Sequence, residues 1–481
     1  MNSEMTTASL PIYDDELKTH LVKKLTEGNI DAVEKMFACH HDEAMAAIKE
    51  YDPSKHEIMS RSDKKRKNKD DYRTNKLPRN WQQYINEISV FFMFNNDIKI
   101  QMENPKDEQE ELKPYLNVFK RHLKKSYFNE RMRDAKRIAG SETECAKLYE
   151  LYVSGGTLKY RIKMISNSME HKLYTLFNRH EDLIAFGDMY HARNLDDEVV
   201  KHFDIYTDDL IWHCEEPSSR EGWTVEKESN FIGKIPVIYY RQQKEWAGVE
   251  ERIKRDEWLD SKAADTCEYC NDPYLKCSSD LLDGRLADAE EVGKLVKVSS
   301  KDSVFEFVNP PEAGELMQNE KKTLKASILE GTFTPDLSYE SIMGLGTLSG
   351  EAIQKMSMPG FIKRGTRLGV YRELINREFN LVKAILSKVI YLNDQKMANG
   401  IDRLDLSFTL QDPFDGNINN NAEEVQMRLQ AGGMSIRTAV EMNPNVIDKD
   451  EEMQRILEEK RQIAEIESQK TKVEVQTEEV E

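Results

Sequence analysis

Seven apolar residues, Leu368, Tyr371, Ile375, Phe379, Val382, Leu386 and Val389, recur every three or four positions. That spacing puts them on one face of a continuous helix, and a stripe of this length has to be covered by something. The helix is expected to be long and to be broken near its start by Met358, Pro359 and Gly360. Ahead of it stands a glycine-bearing loop, YESIMGLGTLSG from Tyr339 to Gly350, and ahead of that a shorter helix.

The chain of 481 residues is 39% hydrophobic and 32% charged, more surface than a compact protein of this size needs, so an extended or assembled subunit is expected. Its length allows roughly two to four domains. A formal net charge of -18 argues against tight, sequence-independent binding of nucleic acid, because phosphate affinity is built from Lys and Arg. A negative surface facing DNA would instead let it slide. Cys39, Cys145, Cys214, Cys267, Cys270 and Cys277, with no signal peptide, point to reduced thiols in a cytoplasm. No apolar run approaches the roughly 18 residues needed to span a bilayer, so no membrane is expected.

In chain order, Asp14 to about Glu50 reads as helical with a break at Gly28 and Asn29. Arg61 to Arg79 concentrates Lys64, Lys65, Arg66, Lys67, Lys69, Arg73 and Lys76, which reads as a solvated loop or a nucleic-acid-contacting arm. Asn75 to Gln101 begins as a helix buried through Trp81, Ile85, Ile88 and Phe92, then turns into a short strand, Ile98 to Met102. Glu110 to Leu151 is expected to be helical, and Gly155 and Gly156 switch the period to two. Short alternating runs from Leu158 to Tyr240 predict an antiparallel sheet. A helix from Lys244 to about Glu268 buries Trp246, Val249, Ile253, Trp258, Leu259 and Ala263. Two strand-like runs, GKLVKV and SVFEFV, precede a helix from Glu312 to Glu330 with Leu316, Leu324 and Ile328 on its apolar side. Leu404 to Leu410 alternates as a strand. Ser435 caps a short helix before Pro444, and a charged helix runs to about Gln469.

The residues of chemistry are missing. There is no Walker sequence, GxSxG or HExxH, and GLGTLSG lacks the strand before and the lysine after that would make a phosphate loop. All ten histidines lie at or before His213, scattered over different elements. Cys267, Cys270 and Cys277 invite a zinc reading, but tetrahedral zinc wants a fourth ligand and none lies near in sequence. Free thiols at a helix end are the simpler reading. No catalytic residue, cofactor or metal is expected.

Four strings, in this order and spacing, resemble the portal proteins of tailed bacteriophages, the siphophage-type group in particular: Asn75 to Gln101, NFIGKIPVIYY (Asn230 to Tyr240), TLSGEAIQKM (Thr347 to Met356), and GGMSIRTAVEMNPNVIDKDEEMQRILEE (Gly432 to Glu459). The resemblance implies an α+β, mainly helical portal fold with wing, stem, clip and crown regions and a long kinked helix. It assigns 1–243 to the wing, 244–266 and 312–336 to two stem helices, 267–311 to the clip and 337–350 to a tunnel loop. Residues 351–416 would be the long wing helix and strand, 417–470 the crown, and 471–481 a flexible tail. It further implies a homo-oligomeric ring, typically a dodecamer, at one capsid vertex. Double-stranded DNA would pass through it, and the partners would be the terminase large subunit, a head-tail adaptor, and capsid and scaffolding proteins.

Under that resemblance Ile342, Met343, Gly344, Leu345, Gly346, Thr347 and Leu348 line the channel. With no Lys or Arg among them, contact there is van der Waals packing. Lys321, Lys322 and Lys325 are candidates for phosphate contact, a solvated or intersubunit face being the alternative. A ring subunit is also expected to bury the long helix's stripe against neighbours instead of within itself.

Overall fold

The computed structural model describes residues 14–63, 73–194, 197–218, 222–271, 275–278, 304–307, 314–338, 341, 355–413, 425–442 and 452–462. Met1–Pro413 makes one compact unit and Phe414–Glu481 a second.

The N-terminal helices are α1 (Asp14–Thr26), α2 (Ile30–Glu34) and α3 (His41–Tyr51). The expected break is there: Gly28 takes φ +70 and the Asn29 side chain accepts from the Ala32 amide at 3.1 Å, capping α2. Then follow α4 (Trp81–Phe94), α5 (Lys106–Lys125) and α6 (Phe128–Glu142). The helical reading to Leu151 fails twice. Tyr127 (φ 56) and Thr143 (φ 70) turn the chain through the left-handed region, and Glu144–Ser154 is a strand. Its first six residues are all buried, so it carries no alternation. Two of its three charges, which look like a helix surface, are internal: Glu144 accepts from Tyr239 at 2.5 Å and Lys147 donates to Glu378 at 3.0 Å.

In chain order the strands are β1 (Ala38–Cys39), β2 (Lys99–Met102), β3 (Glu144–Ser154), β4 (Thr157–Ile165), β5 (Lys172–Phe177), β6 (Leu183–Arg193), β7 (Val199–Tyr206), β8 (Leu210–Pro217), β9 (Thr224–Ser229) and β10 (Val237–Arg241). In place of one antiparallel sheet there are two, ordered β1-β5-β6-β7-β8-β9 and β10-β3-β4. They face each other through Ala146, Leu148 and Val237 on one side and Leu173, Phe186 and Tyr206 on the other. The three-stranded sheet is thus covered on both faces, which is why β3 lacks a polar side. Of NFIGKIPVIYY, only the part from Val237 is strand; a turn around Asn230 precedes it.

Helix α7 (Glu250–Asn271) and helix α8 (Gly314–Gly331) flank an antiparallel hairpin, β11 (Leu275–Ser278) with β12 (Val304–Phe307). SVFEFV therefore supplies β12, while GKLVKV lies outside the described residues. The long helix α9 (Met358–Ile385) continues through one π turn, Leu386–Ile390, as a 33-residue helix. The expected break falls at Ser357, a turn between helical Lys355 and Met356 and the start of α9 at Met358, and Pro359 resumes the helix. It sits in the first turn, where its missing amide has no partner to lose. Gly360 fits because a Cβ there would lie 2.6 Å from the Phe92 ring. Helix α10 (Gln395–Asp402) and strand β13 (Leu406–Thr409) follow, and β13 pairs antiparallel with β2, Phe408 opposite Ile100. In the second unit, α11 (Ile436–Met442) starts as expected at Ser435, whose hydroxyl accepts from the Thr438 amide at 3.2 Å.

The stripe is covered by its own chain, not by a neighbour. Tyr371, Ile375, Phe379, Val382 and Leu386 are buried with Phe94, Phe119, Phe128, Tyr149 and Tyr240, drawn from α4, α5, α6, β3 and β10. Leu368 and Val389 pack at its edge. Fully burying such side chains contributes roughly 1.5–3 kcal/mol each, enough to make this helix the spine of the unit.

Candidate nucleic-acid interface

Helices α7 and α8 lie side by side and are knit by charge as much as by apolar contact. Trp246, Val249, Ile253 and Ile328 bury together with Ile85 of α4 and Ala47 of α3. Gly331 lets the helices approach closely, since a Cβ there would meet Val249 Cγ1 at 2.8 Å. Across the pair, Arg255 reaches Glu320 at 2.8 Å, Lys321 pairs with Asp260, and Arg252 donates to the Ser327 carbonyl at 3.1 Å. Helix α7 starts at Glu250, not Lys244, because Gly248 turns the chain at φ +88. Two residues expected to be buried are not: Trp258 is 40% exposed under Arg255 and Lys262, and Leu316 is 74% exposed.

One side of α7 holds an extended strap. The amides of Asn75, Leu77 and Arg79 donate to Asp265 (2.9 Å), Ser261 (3.0 Å) and Glu257 (2.9 Å) in turn. Two residues of extended chain advance roughly 6.6 Å and four residues of helix about 6 Å, so alternate amides meet successive turns of one helix face, running antiparallel. Arg61 pairs with Asp265 at 2.5 Å, Arg79 with Asp260, and His56 Nδ1 lies 2.6 Å from Glu257. The two arginines flanking the basic run therefore answer carboxylates of α7. Lys64, Lys65, Arg66, Lys67 and Lys69 lie outside the described residues. Burial tends to raise the Asp260 and Asp265 pKa values. Hydrogen bonds from Lys321 and Arg79 to the first, and from the Asn75 amide and Arg61 to the second, outweigh it and hold both below the ordinary value. The spacing Glu257, Ser261, Asp265 was visible in the sequence, but on a helix it reads as a solvated face.

The three candidate lysines of α8 part company. Lys321 is paired with Asp260. Lys325 is paired with Asp336 at 2.7 Å and donates to Ser338 at 3.2 Å. Lys322 is exposed and, among the described residues, makes no ion pair. Beyond α8, Phe333 takes φ 51 and the chain is tied down at once. Tyr84 of α4 donates to the Pro335 carbonyl (3.1 Å) and accepts from the Leu337 amide (3.0 Å). Asp336 also accepts from Ser341 (2.7 Å) and the Ser338 amide (3.1 Å). Burial would raise its pKa, but the bonds from Lys325, Ser341 and Ser338 bring it down to about 2. Ile342, Met343, Gly344, Leu345, Gly346, Thr347 and Leu348, expected from the sequence to form a channel loop, lie outside the described residues.

Beyond those residues, α9 is anchored at its first turns. Arg364 reaches Asp412 at 2.7 Å and the Leu410 carbonyl at 3.0 Å. Lys363 Nζ lies 2.8 Å from Glu245 Oε2, outside hydrogen-bond geometry, and donates to the Glu245 carbonyl at 3.2 Å. Glu245 also pairs with Lys136 of α6 and immediately precedes Trp246. One buried carboxylate thus joins the start of α9, the body and the lead-in to α7. Sequence reasoning passed over it because nothing local marks Glu245, Lys136 and Lys363 as neighbours.

Histidines of the large sheet sit against carboxylates, His171 with Asp188 (2.7 Å) and His213 with Asp204 (2.8 Å). Cys267 is free and exposed near the end of α7. Cys270 is on the same helix and Cys277 on β11, and the side chains of both lie outside the described residues. Among the described residues no group of three or more His, Cys, Asp or Glu could hold a metal ion, and no helix is long and apolar enough to cross a membrane.

Compared with known families, residues 38–465 match the model of the family described as phage portal protein, SPP1 Gp6-like. No curated protein matches the chain.

Proposed function

This chain belongs to the phage portal protein family, SPP1 Gp6-like, and from that premise we propose that it closes into a dodecameric ring with α7 and α8 as its stem. The family forms the DNA-translocating channel at a capsid vertex of the virion and is non-enzymatic. The observation that supports the assignment of regions is their order within the match: a helix pair, a two-stranded antiparallel ladder between its members, a glycine-bearing stretch of sequence and a long anchored helix.

On this reading 1–243 and 351–416 form the wing, 244–266 and 312–336 the stem, and 267–311 the clip. The clip receives the terminase large subunit during packaging and a head-tail adaptor afterwards. Residues 417–470 form the crown, 471–481 trail from it, and capsid and scaffolding proteins surround the wing. Assembly takes place in the host cytoplasm. Residues 337–350 reach into the channel through Ile342, Met343, Leu345 and Leu348. Gly344 and Gly346 supply the backbone freedom that a loop riding on a moving polymer needs. Lys322 is the DNA-facing cation of the second stem helix. Lys321 and Lys325 hold the helix pair and the base of the loop, since Asp260 and Asp336 answer their charges. A channel with few free cations suits translocation, because every neutralised phosphate adds salt-dependent affinity that a sliding duplex would have to break.

Negative-stain microscopy of the purified protein is expected to show rings with an axial hole; monomers or dimers alone would overturn the reading. Deleting Ile342 to Leu348 is expected to leave the rings intact and to impair DNA packaging or retention. Loss of rings from a folded deletion variant would make the loop an interface element.

A further inference from the structure

The turn between β9 and β10 and the middle of α9 enclose a recess of about 640 Å³, whose lining includes the apolar Ile235 and Leu381, the cations Lys234 and Arg377, and the carboxylates Asp208, which pairs with Lys18, and Glu373. Its electrostatics are out of keeping with the chain. In a sequence with 87 acidic and 69 basic residues, Lys234, Arg377 and Lys388 crowd together without an ion pair among the described residues. Burial, and then the charge of Lys388, hold the Lys234 ammonium below its ordinary pKa, with Asp402 opposing and Arg377 adding a smaller push. Burial lowers Arg377 as well, with Asp182 and Glu373 opposing. Lys234 donates to the Asn380 carbonyl at 3.3 Å, and Lys388 Nζ sits 2.9 Å from where a Cβ of Gly233 would be.

The turn itself is rigid. Asn230 donates to the Thr207 and Lys234 carbonyls, both at 2.8 Å, and accepts from the Ile232 amide at 3.1 Å. Three residues before Lys234 it holds out Phe231, 75% exposed. A fixed, exposed aromatic beside cations that make no ion pair among the described residues, at a partly apolar recess, has the composition of a protein contact.

We propose that this turn and recess form a subunit-contact surface, in which Lys234 and Arg377 receive a carboxylate from an acidic, partly apolar segment of the adjacent copy and Phe231 packs beside it. The proposal rests on the ring reading. A second copy is the occupant because an excess of carboxylates is what this chain presents, and because the ring holds that copy at a fixed place. A duplex backbone is a convex rod of phosphates, with nothing to fill an apolar recess or cover an aromatic ring.

The test compares the full chain with the double variant Lys234→Ala/Arg377→Ala and with Phe231→Ala, following ring formation by native mass spectrometry over a dilution series and the monomer's melting temperature separately. The concentration needed for half assembly is expected to rise about tenfold or more for the double variant. Its monomer melts no lower than wild type, since like charges have been removed. Wild-type rings that persist unchanged in both variants overturn the contact surface alone. Variant rings of wild-type stability that bind a short DNA duplex more weakly also overturn it and give the cations to phosphate. Wild-type protein that never forms rings removes the ring reading and this proposal together.

Discussion

Glu245 and Glu378 are both wholly buried carboxylates, yet they are built differently. Glu378, on α9, takes one cation, Lys147 at 3.0 Å, and two phenols, Tyr149 and Tyr240, the latter at 3.1 Å. Lys147 in turn lies over the Phe128 and Tyr240 rings. That cluster is neutral as a pair and closed inside the main core. Glu245 takes two cations, Lys136 and Lys363, and an amide, Gln242 at 2.7 Å. It holds an excess of positive charge, and its members come from three separate segments. The first cluster fixes the face that α9 turns to the sheet; the second fixes where α9 begins relative to α7. The second thus ties the first turns of α9 to the body and to the lead-in of α7.

The difference predicts a ranking. Glu245→Gln keeps the shape but leaves two buried ammonium groups without a counter-ion, and the monomer is expected to lose about 3–5 kcal/mol in urea unfolding. Glu378→Gln strands only Lys147, while the phenols still have an oxygen to donate to, so about 2–3 kcal/mol is expected. An equal or inverted order would break the comparison.

Acid sharpens it. Burial alone would raise the Glu245 pKa, but Lys136 and Lys363 bring it well below the ordinary carboxylate value. A depressed folded pKa contributes stability that is fully present above the unfolded value, about 4.3, and is lost as pH falls towards the folded one. Wild-type melting temperature is therefore expected to drop below about pH 4 more steeply than that of Glu245→Gln, and parallel curves would show that the triad does not carry this dependence.

The smallest effect belongs to the segment that follows α8. Asp336→Asn loses the half-exposed pair with Lys325, about 1 kcal/mol or less. It should leave the melting temperature nearly unchanged while quickening proteolysis between Thr332 and Ser341. Protection equal to wild type would mean that Tyr84 alone pins this segment.

Much of the architecture was legible in the sequence because its signals are local. The stripe from Leu368 to Val389, the break at Gly28 and Asn29, the cap at Ser435 and the strands around Ile100 and Phe408 each follow from side-chain period or turn chemistry within a dozen residues. Of the candidate interface, the α7–α8 pair and its lysines could be placed. The strap could not, since Asn75, Leu77 and Arg79 reach α7 through backbone amides, which carry no residue-type signature. Strand β3 was misread for a related reason: covered on both faces, with Glu144 and Lys147 paired inside, it has lost the alternation that identifies a strand.

By itself the sequence determined that a long one-faced helix follows a glycine-bearing stretch, and that acidic residues outnumber basic ones, 87 to 69. Both follow from residue type and spacing. What covers that helix was decided only in three dimensions. The stripe that asked for a partner is covered by five elements of its own unit, and the residues that fix its ends, Glu245 and Arg364, owe their roles to neighbours far away in the chain. Periodicity says which face is apolar; only the packed structure says what lies against it.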